Sequence, residues 1–126
     1  PLFKPPYSHI TAIDMNTGEH LWQLPIGETP DRVRNHPDLR DMDIPTTGTG
    51  RNAAMLVTKT AFIYAGHASD ETPMLFFVDK TTGEQIGAVE IPGEVNYGMM
   101  TYVHDGKQYI MLQTGPKLTA MALADW

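Results

Sequence analysis

Apolar and polar residues alternate over short runs along this chain, and no stretch keeps a helical period for long. From His9 to Asp14, Ile10, Ala12 and Asp14 fall on one side and Thr11 and Ile13 on the other, and His20 to Pro25 continues after Asn16-Thr17-Gly18-Glu19. Alternation on both sides of a Gly-containing turn predicts a hairpin. The same reading predicts strands at Ala54–Thr58 and Ala61–Ala65, a hairpin from Met74–Asp79 and Gln85–Ile91, another from Gly98–His104 and Lys107–Gln113 across Asp105-Gly106, and a last strand at Leu118–Leu123. About nine strands result. Between them, residues 26–52 lose all periodicity, and Pro30, Pro37, Pro45 and Thr46-Thr47-Gly48-Thr49-Gly50 mark a long inter-strand loop with one helical turn around Asp31–His36. Loops of that length in compact folds often carry function.

One phrase occurs twice. Ile10 to Trp22 returns as Leu75 to Gly87, with Asp14, Thr17, Gly18 and Glu19 falling on Asp79, Thr82, Gly83 and Glu84 without a gap. A repeat of roughly 40 to 65 residues, each copy holding several strands, predicts a propeller or solenoid, in which no unit buries its own face. Within the turn the Gly supplies a positive φ, the Asp accepts amide hydrogen bonds and the Thr hydroxyl closes the loop, so these polar residues have structural work. If each unit is a four-stranded meander, the chain holds two outer strands of one blade, one whole blade and three strands of the next. Open strand edges invite pairing. Association with further blades, or self-association through those edges, is therefore expected.

Composition narrows the functional classes. A net charge of -6 with nine scattered Lys and Arg argues against nucleic acid, which needs clustered cations. The chain has no Cys, hence no disulfide framework, thiolate metal site or cysteine nucleophile. No apolar run reaches the ~18 residues of a membrane span, and no signal-peptide pattern is visible. Pro1 opens the sequence directly before a strand, as in an excised segment.

Catalytic constellations are missing. Ser8 and Ser69 lie in no nucleophile elbow, and Gly48-Thr49-Gly50 lacks the setting of a dinucleotide or phosphate loop. His9, His20, His36, His67 and His104 have no metal-ligand spacing, and Asp38, Asp41 and Asp43 lack the Gly and Glu of a calcium hand. The eight Met are expected to fill strand cores. The loop trio Arg32, Arg34 and His36 is the best candidate for contact with a substrate or partner, with pairing to Asp31, Asp38 or Asp41 as the structural alternative. No catalytic and no metal residue is assigned, and no cofactor-binding residue is identified.

Ala12-x-Asp14-x-x-Thr17-Gly18-x-x-x-Trp22 resembles the tryptophan-docking motif of quinoprotein dehydrogenases. Phe3-Lys4-Pro5-Pro6-Tyr7, Gln23-Leu24-Pro25-Ile26-Gly27, Arg34-Asn35-His36-Pro37, Leu56-Val57-Thr58-Lys59-Thr60, Met100-Thr101-Tyr102 and Asp105-Gly106-Lys107-Gln108-Tyr109 are similar to the C-terminal region of the glucose-dehydrogenase-like members. The resemblance implies an all-β fold, residues 1–126 forming a single partial domain of an eight-bladed β-propeller with about two to two and a half four-stranded blades. It further implies a complete enzyme that passes electrons from a sugar or alcohol to pyrroloquinoline quinone (PQQ) beside calcium, in the periplasm. This segment alone is expected to bind neither group and to be inactive. The second copy departs from the motif, with Phe77 where Ala stands and Gly87 where Trp stands, so packing by Phe76 or Phe77 is expected to replace the fastener. The short Gln113–Lys117 segment replaces a longer Gly-rich loop that approaches the cofactor in relatives. A non-catalytic propeller module used for binding or assembly is the alternative.

Overall fold

The computed structural model describes residues 8–39, 41–42, 46–48 and 53–122, apart from the side chains of Asn96 and Tyr97. Phe3–Tyr7, Asp43, Pro45, Thr49, Gly50 and Leu123, named above, lie outside the described residues. Nine strands and one helical turn form: β1 (His9–Ile13), β2 (His20–Pro25), α1 (Asp31–Arg34), β3 (Met55–Val57), β4 (Ala61–His67), β5 (Pro73–Asp79), β6 (Gln85–Glu90), β7 (Val95–His104), β8 (Lys107–Thr114) and β9 (Lys117–Ala122). They pair antiparallel, in chain order, as a two-stranded, a four-stranded and a three-stranded sheet. The all-β prediction and its division into two, four and three strands both hold.

The middle sheet explains why the three belong together. Every residue of β4 is buried, and so are Leu75 to Val78 of β5. Alternate side chains leave opposite faces of a strand, so two different surfaces are being covered. Phe62, Tyr64, Phe76 and Val78 pack with Ile10, Trp22 and Leu24 of the first sheet. Ile63, Ala65, Leu75 and Phe77 pack with Ile110 and Leu112 of β8, Val95 and Met99 of β7 and Met121 of β9. A sheet buried on both faces needs near-continuous apolar strands, which is how Ala61–Ala65 and Leu75–Val78 read. Each large side chain so buried contributes about 1.5–3 kcal/mol.

The two hairpins with the shared phrase are built alike. Asp14 Oδ1 accepts the Asn16 amide at 2.8 Å, and Asp79 Oδ1 accepts the Thr81 amide at 2.8 Å. Thr17 and Thr82 hydroxyls each accept the amide two residues on at 3.2 Å, and Gly18 and Gly83 take φ of 75° and 78°. Both ladders slip register one step before the Asp, between Ala12 and Ile13 and between Phe77 and Val78. Asp105 and Gly106, with φ of 51° and 76°, make the primed turn expected between β7 and β8.

Several boundaries differ from expectation: β3 is trimmed to Met55–Val57, β4 runs on to His67 instead of ending at Ala65, and the third sheet shows two more differences. β7 begins at Val95 instead of Gly98, because Val95 still pairs with Thr114 across an irregularity in the ladder. The Gln113–Lys117 segment is a tight hairpin, with Gly115 and Pro116 between paired Thr114 and Lys117 and Gly115 at φ 66°. Its residues are absorbed by sheet pairing.

Candidate functional site

The most specific constellation is a joint between the first and second sheets. Trp22 leaves β2 and lies on the turn that follows β5. Its indole Nε1 donates to the Lys80 carbonyl at 2.9 Å. A Cβ on Gly83 would sit 2.8 Å from Trp22 Cγ, so the ring rests against a backbone that must be Gly for two reasons, contact and positive φ. Behind it, Phe62, Tyr64 and Phe76 form a ladder: Trp22 to Phe62 at 6.0 Å, Phe62 to Tyr64 at 6.0 Å and Tyr64 to Phe76 at 5.0 Å. These spacings suit attractive ring contacts. Burial raises the Tyr64 hydroxyl above its ordinary pKa, the Glu28 charge adds to the rise, and the Gly27 amide bonded to the oxygen opposes it.

The second hairpin solves the same problem in reverse. Phe77 pairs with Gly87 in the ladder where Ala12 pairs with Trp22. Phe77 is buried between the second and third sheets, whereas Phe76 faces the first sheet. Of the two Phe proposed to replace the missing Trp, only Phe77 points to the correct neighbour. Nothing approaches the position of a Gly87 Cβ within 4 Å.

The long connection folds onto the end of the middle sheet where β4 leaves and β5 enters. The Glu28 amide donates to the His67 carbonyl at 3.0 Å, and the Asp31 amide to the Ser69 carbonyl at 2.7 Å. The Glu28 carboxylate accepts the Ser69 amide at 2.8 Å. Thr29 and Thr47 are buried, the Thr47 amide donating to Thr29 Oγ1 at 3.0 Å. Of the loop trio, Arg32 reaches Glu71 at 3.7 Å, not the expected nearby aspartates, and both side chains are largely exposed. His36 Nδ1 accepts the Asp38 amide at 3.2 Å, and Arg34 lies exposed on α1. The three do not converge on a ligand. The contact missed by sequence reasoning is His67 with Glu94, Nε2 to Oε1 at 2.9 Å; no local spacing announces a pair 27 residues apart.

Asp14 and Asp79 are engaged in their turns. His9 and His20 are exposed on the first hairpin, and exposed His104 meets Asp105 at 3.3 Å. Among the described residues no three His, Cys, Asp or Glu come together as metal ligands. An open groove of about 350 Å³ lies on the third sheet, lined by Gly98, Met99, Met100, Met111, Leu112, Gln113 and Leu118. It offers no cation to the carboxylates of PQQ. The groove lining therefore supplies no charged donor set for PQQ or for calcium. Among those residues no helix is long and apolar enough to cross a membrane.

Stacked antiparallel sheets joined this way define a partial β-propeller, and the comparisons specify which. Residues 1–110 match the PQQ family described as glucose/ethanol/alcohol dehydrogenase, beta-propeller domain. The chain belongs to that family. It is 34% identical over 114 residues to the glycerol dehydrogenase large subunit of Gluconobacter thailandicus, covering 89% of this chain and 15% of that protein. Against the probable quinate dehydrogenase (quinone) of Xanthomonas campestris pv. juglandis, identity is 28% over 121 residues, 91% of this chain and 14% of the relative. Quinoprotein glucose dehydrogenase A of Acinetobacter calcoaceticus is 26% identical over 115 residues, with 91% and 14% covered. The chain thus spans about a seventh of the length of these relatives. No solved structure matches.

Proposed function

We infer that residues 1–126 are one partial propeller domain, with residues 26–52 as its long inter-strand loop, and supply blades to a periplasmic quinoprotein oxidoreductase. The complete enzyme oxidises a sugar or alcohol and passes electrons to PQQ, with calcium beside it; the quinone supplies the redox chemistry when bound. The relatives' names, glycerol, quinate and glucose dehydrogenases, support a hydroxyl-bearing substrate. The role of this segment is architectural. Trp22 acts as the docking tryptophan that clips one repeated hairpin to the next, and the remaining blades of the parent protein cover the open edges.

One observation supports this reading: the middle sheet is buried on both faces by the sheets before and after it in the chain, the face-to-face stacking that a propeller uses. The chain alone is inactive on this account. Titration with PQQ and calcium, with and without the upstream polypeptide, tests it. Saturable binding and dye reduction are expected only with the upstream chain. Failure with both present would favour a non-catalytic binding or assembly module, the reading that the open space at Gly87 and the tight β8–β9 turn support.

A further inference from the structure

The first and second sheets are fastened where Trp22 meets the turn after β5, and the chain holds a second set of contacts at the other end of the same seam. β5 runs seven residues from Pro73 to Asp79, so the β4–β5 turn and the Trp22 joint lie roughly 20 Å apart. Where the chain leaves β2, Ile26 and Gly27 are buried, and the Gly27 amide donates to the Tyr64 hydroxyl at 3.4 Å. The next residues run beside the end of β4. The Glu28 amide donates to the His67 carbonyl at 3.0 Å and the Asp31 amide to the Ser69 carbonyl at 2.7 Å. These are two rungs between segments running in the same direction, as in a parallel ladder. In such a ladder the Ser69 amide, between them, would donate to the main-chain oxygen of residue 28; here it donates to the Glu28 carboxylate at 2.8 Å.

We propose that residues 26–31 form a strap that pins the first sheet to the second at the end opposite Trp22, with the Glu28 carboxylate as the pin. The two fasteners then make the seam open as one unit. Glu28 is exposed, but Ile26 and Gly27 before it and Thr29 and Pro30 after it are buried, so the strap is seated and only its pin faces outward. It is also held from behind, because the Thr47 amide donates to Thr29 Oγ1 at 3.0 Å where the long connection returns. Pro30 has no amide to donate, and the last rung falls to Asp31. Along the seam Trp22, Phe62, Tyr64 and Phe76 make successive ring contacts, and Tyr64 touches both that row and the strap. Close-packed rings transmit strain, which is how one end is felt at the other. Nothing in the strap depends on which substrate the complete enzyme oxidises.

The test is hydrogen–deuterium exchange by mass spectrometry on the full-length protein at neutral pH, comparing the wild type with Glu28→Ala, Glu28→Gln and Asp70→Ala. Glu28→Ala removes the acceptor. It is expected to raise exchange about fivefold in peptides covering residues 67–72 and also, at the far end of the seam, in those covering 20–25 and 80–84. Glu28→Gln keeps an acceptor oxygen without the charge, and a rise of only about twofold is expected. Asp70→Ala cuts the turn's own bonds to Thr72 and leaves the strap in place, so its rise is expected within 67–72 alone. Glu28 and Asp70 are both exposed, and all three variants are expected to fold. A Glu28→Ala effect confined to 28–31 and 67–72, a Glu28→Gln effect as large as that of Glu28→Ala, or a far-end rise in Asp70→Ala overturns the proposal.

Discussion

The β1–β2 and β5–β6 hairpins share a turn and differ in the pair that meets the next sheet. In the first, small Ala12 faces large Trp22; in the second, large Phe77 faces Gly87. Each pair holds one aromatic, but the ring has moved across the ladder to the neighbouring strand. Cross-strand partners lie on the same face, about 5 Å apart, so either can fill one intersheet gap. What does not move is the polar handle. Trp22 carries an N–H that reaches a distant carbonyl, and the Phe77 ring has no such group, so the first aromatic gives its joint a direction that the second does not supply.

That contrast is open to breakage. Phe77→Ala leaves a cavity between the second and third sheets and is expected to cost about 3–5 kcal/mol in urea unfolding; a loss under 1 kcal/mol would show that the seam does not depend on this ring. Gly83→Ala places a methyl against the indole at positive φ, an expected loss of about 2–4 kcal/mol, while Gly18→Ala, with the same φ and open space around it, is expected to lose only about 1 kcal/mol. Equal losses would mean that Trp22 does not press on the turn. Trp22→Phe keeps a ring and deletes the bond to Lys80, an exposed contact worth about 1 kcal/mol. Gly87→Ala fills space that nothing occupies in a strand interior, and a gain of up to about 1 kcal/mol is expected.

Alkaline unfolding probes the aromatic ladder behind the first joint. The Tyr64 hydroxyl is raised in the folded state, so the folded chain holds its proton where the unfolded chain releases it. Stability from this group is complete below the unfolded value of 10.0 and declines as pH rises beyond it. Tyr64→Phe is expected to flatten that decline, measured as the melting temperature across pH 9 to 11; an unchanged slope would assign the decline to other groups.

The turns were legible in sequence because their chemistry is local: an Asp that accepts amides two residues on, a Thr that does the same and a Gly at positive φ all lie within six residues. Strand number and sheet division followed from those turns. Which face each aromatic takes was not legible, since Phe76 and Phe77 are adjacent and equally apolar, and only the neighbouring sheets distinguish them. The partner of Arg32 was misplaced for the same reason: Glu71 is distant in sequence and is brought close when the long connection folds over the β4–β5 end. The contact of His67 with Glu94 left no signal, because a strand-end His and a loop Glu look like solvated residues until two sheets stack.

The Trp22 indole reads a main-chain oxygen at position 80, and every amino acid carries one. Replacement of Lys80 by almost any other residue leaves that acceptor in place, whereas position 83 admits only glycine. Tandem units built on such a latch are free to diverge in surface chemistry, one residue at a time, without unfastening.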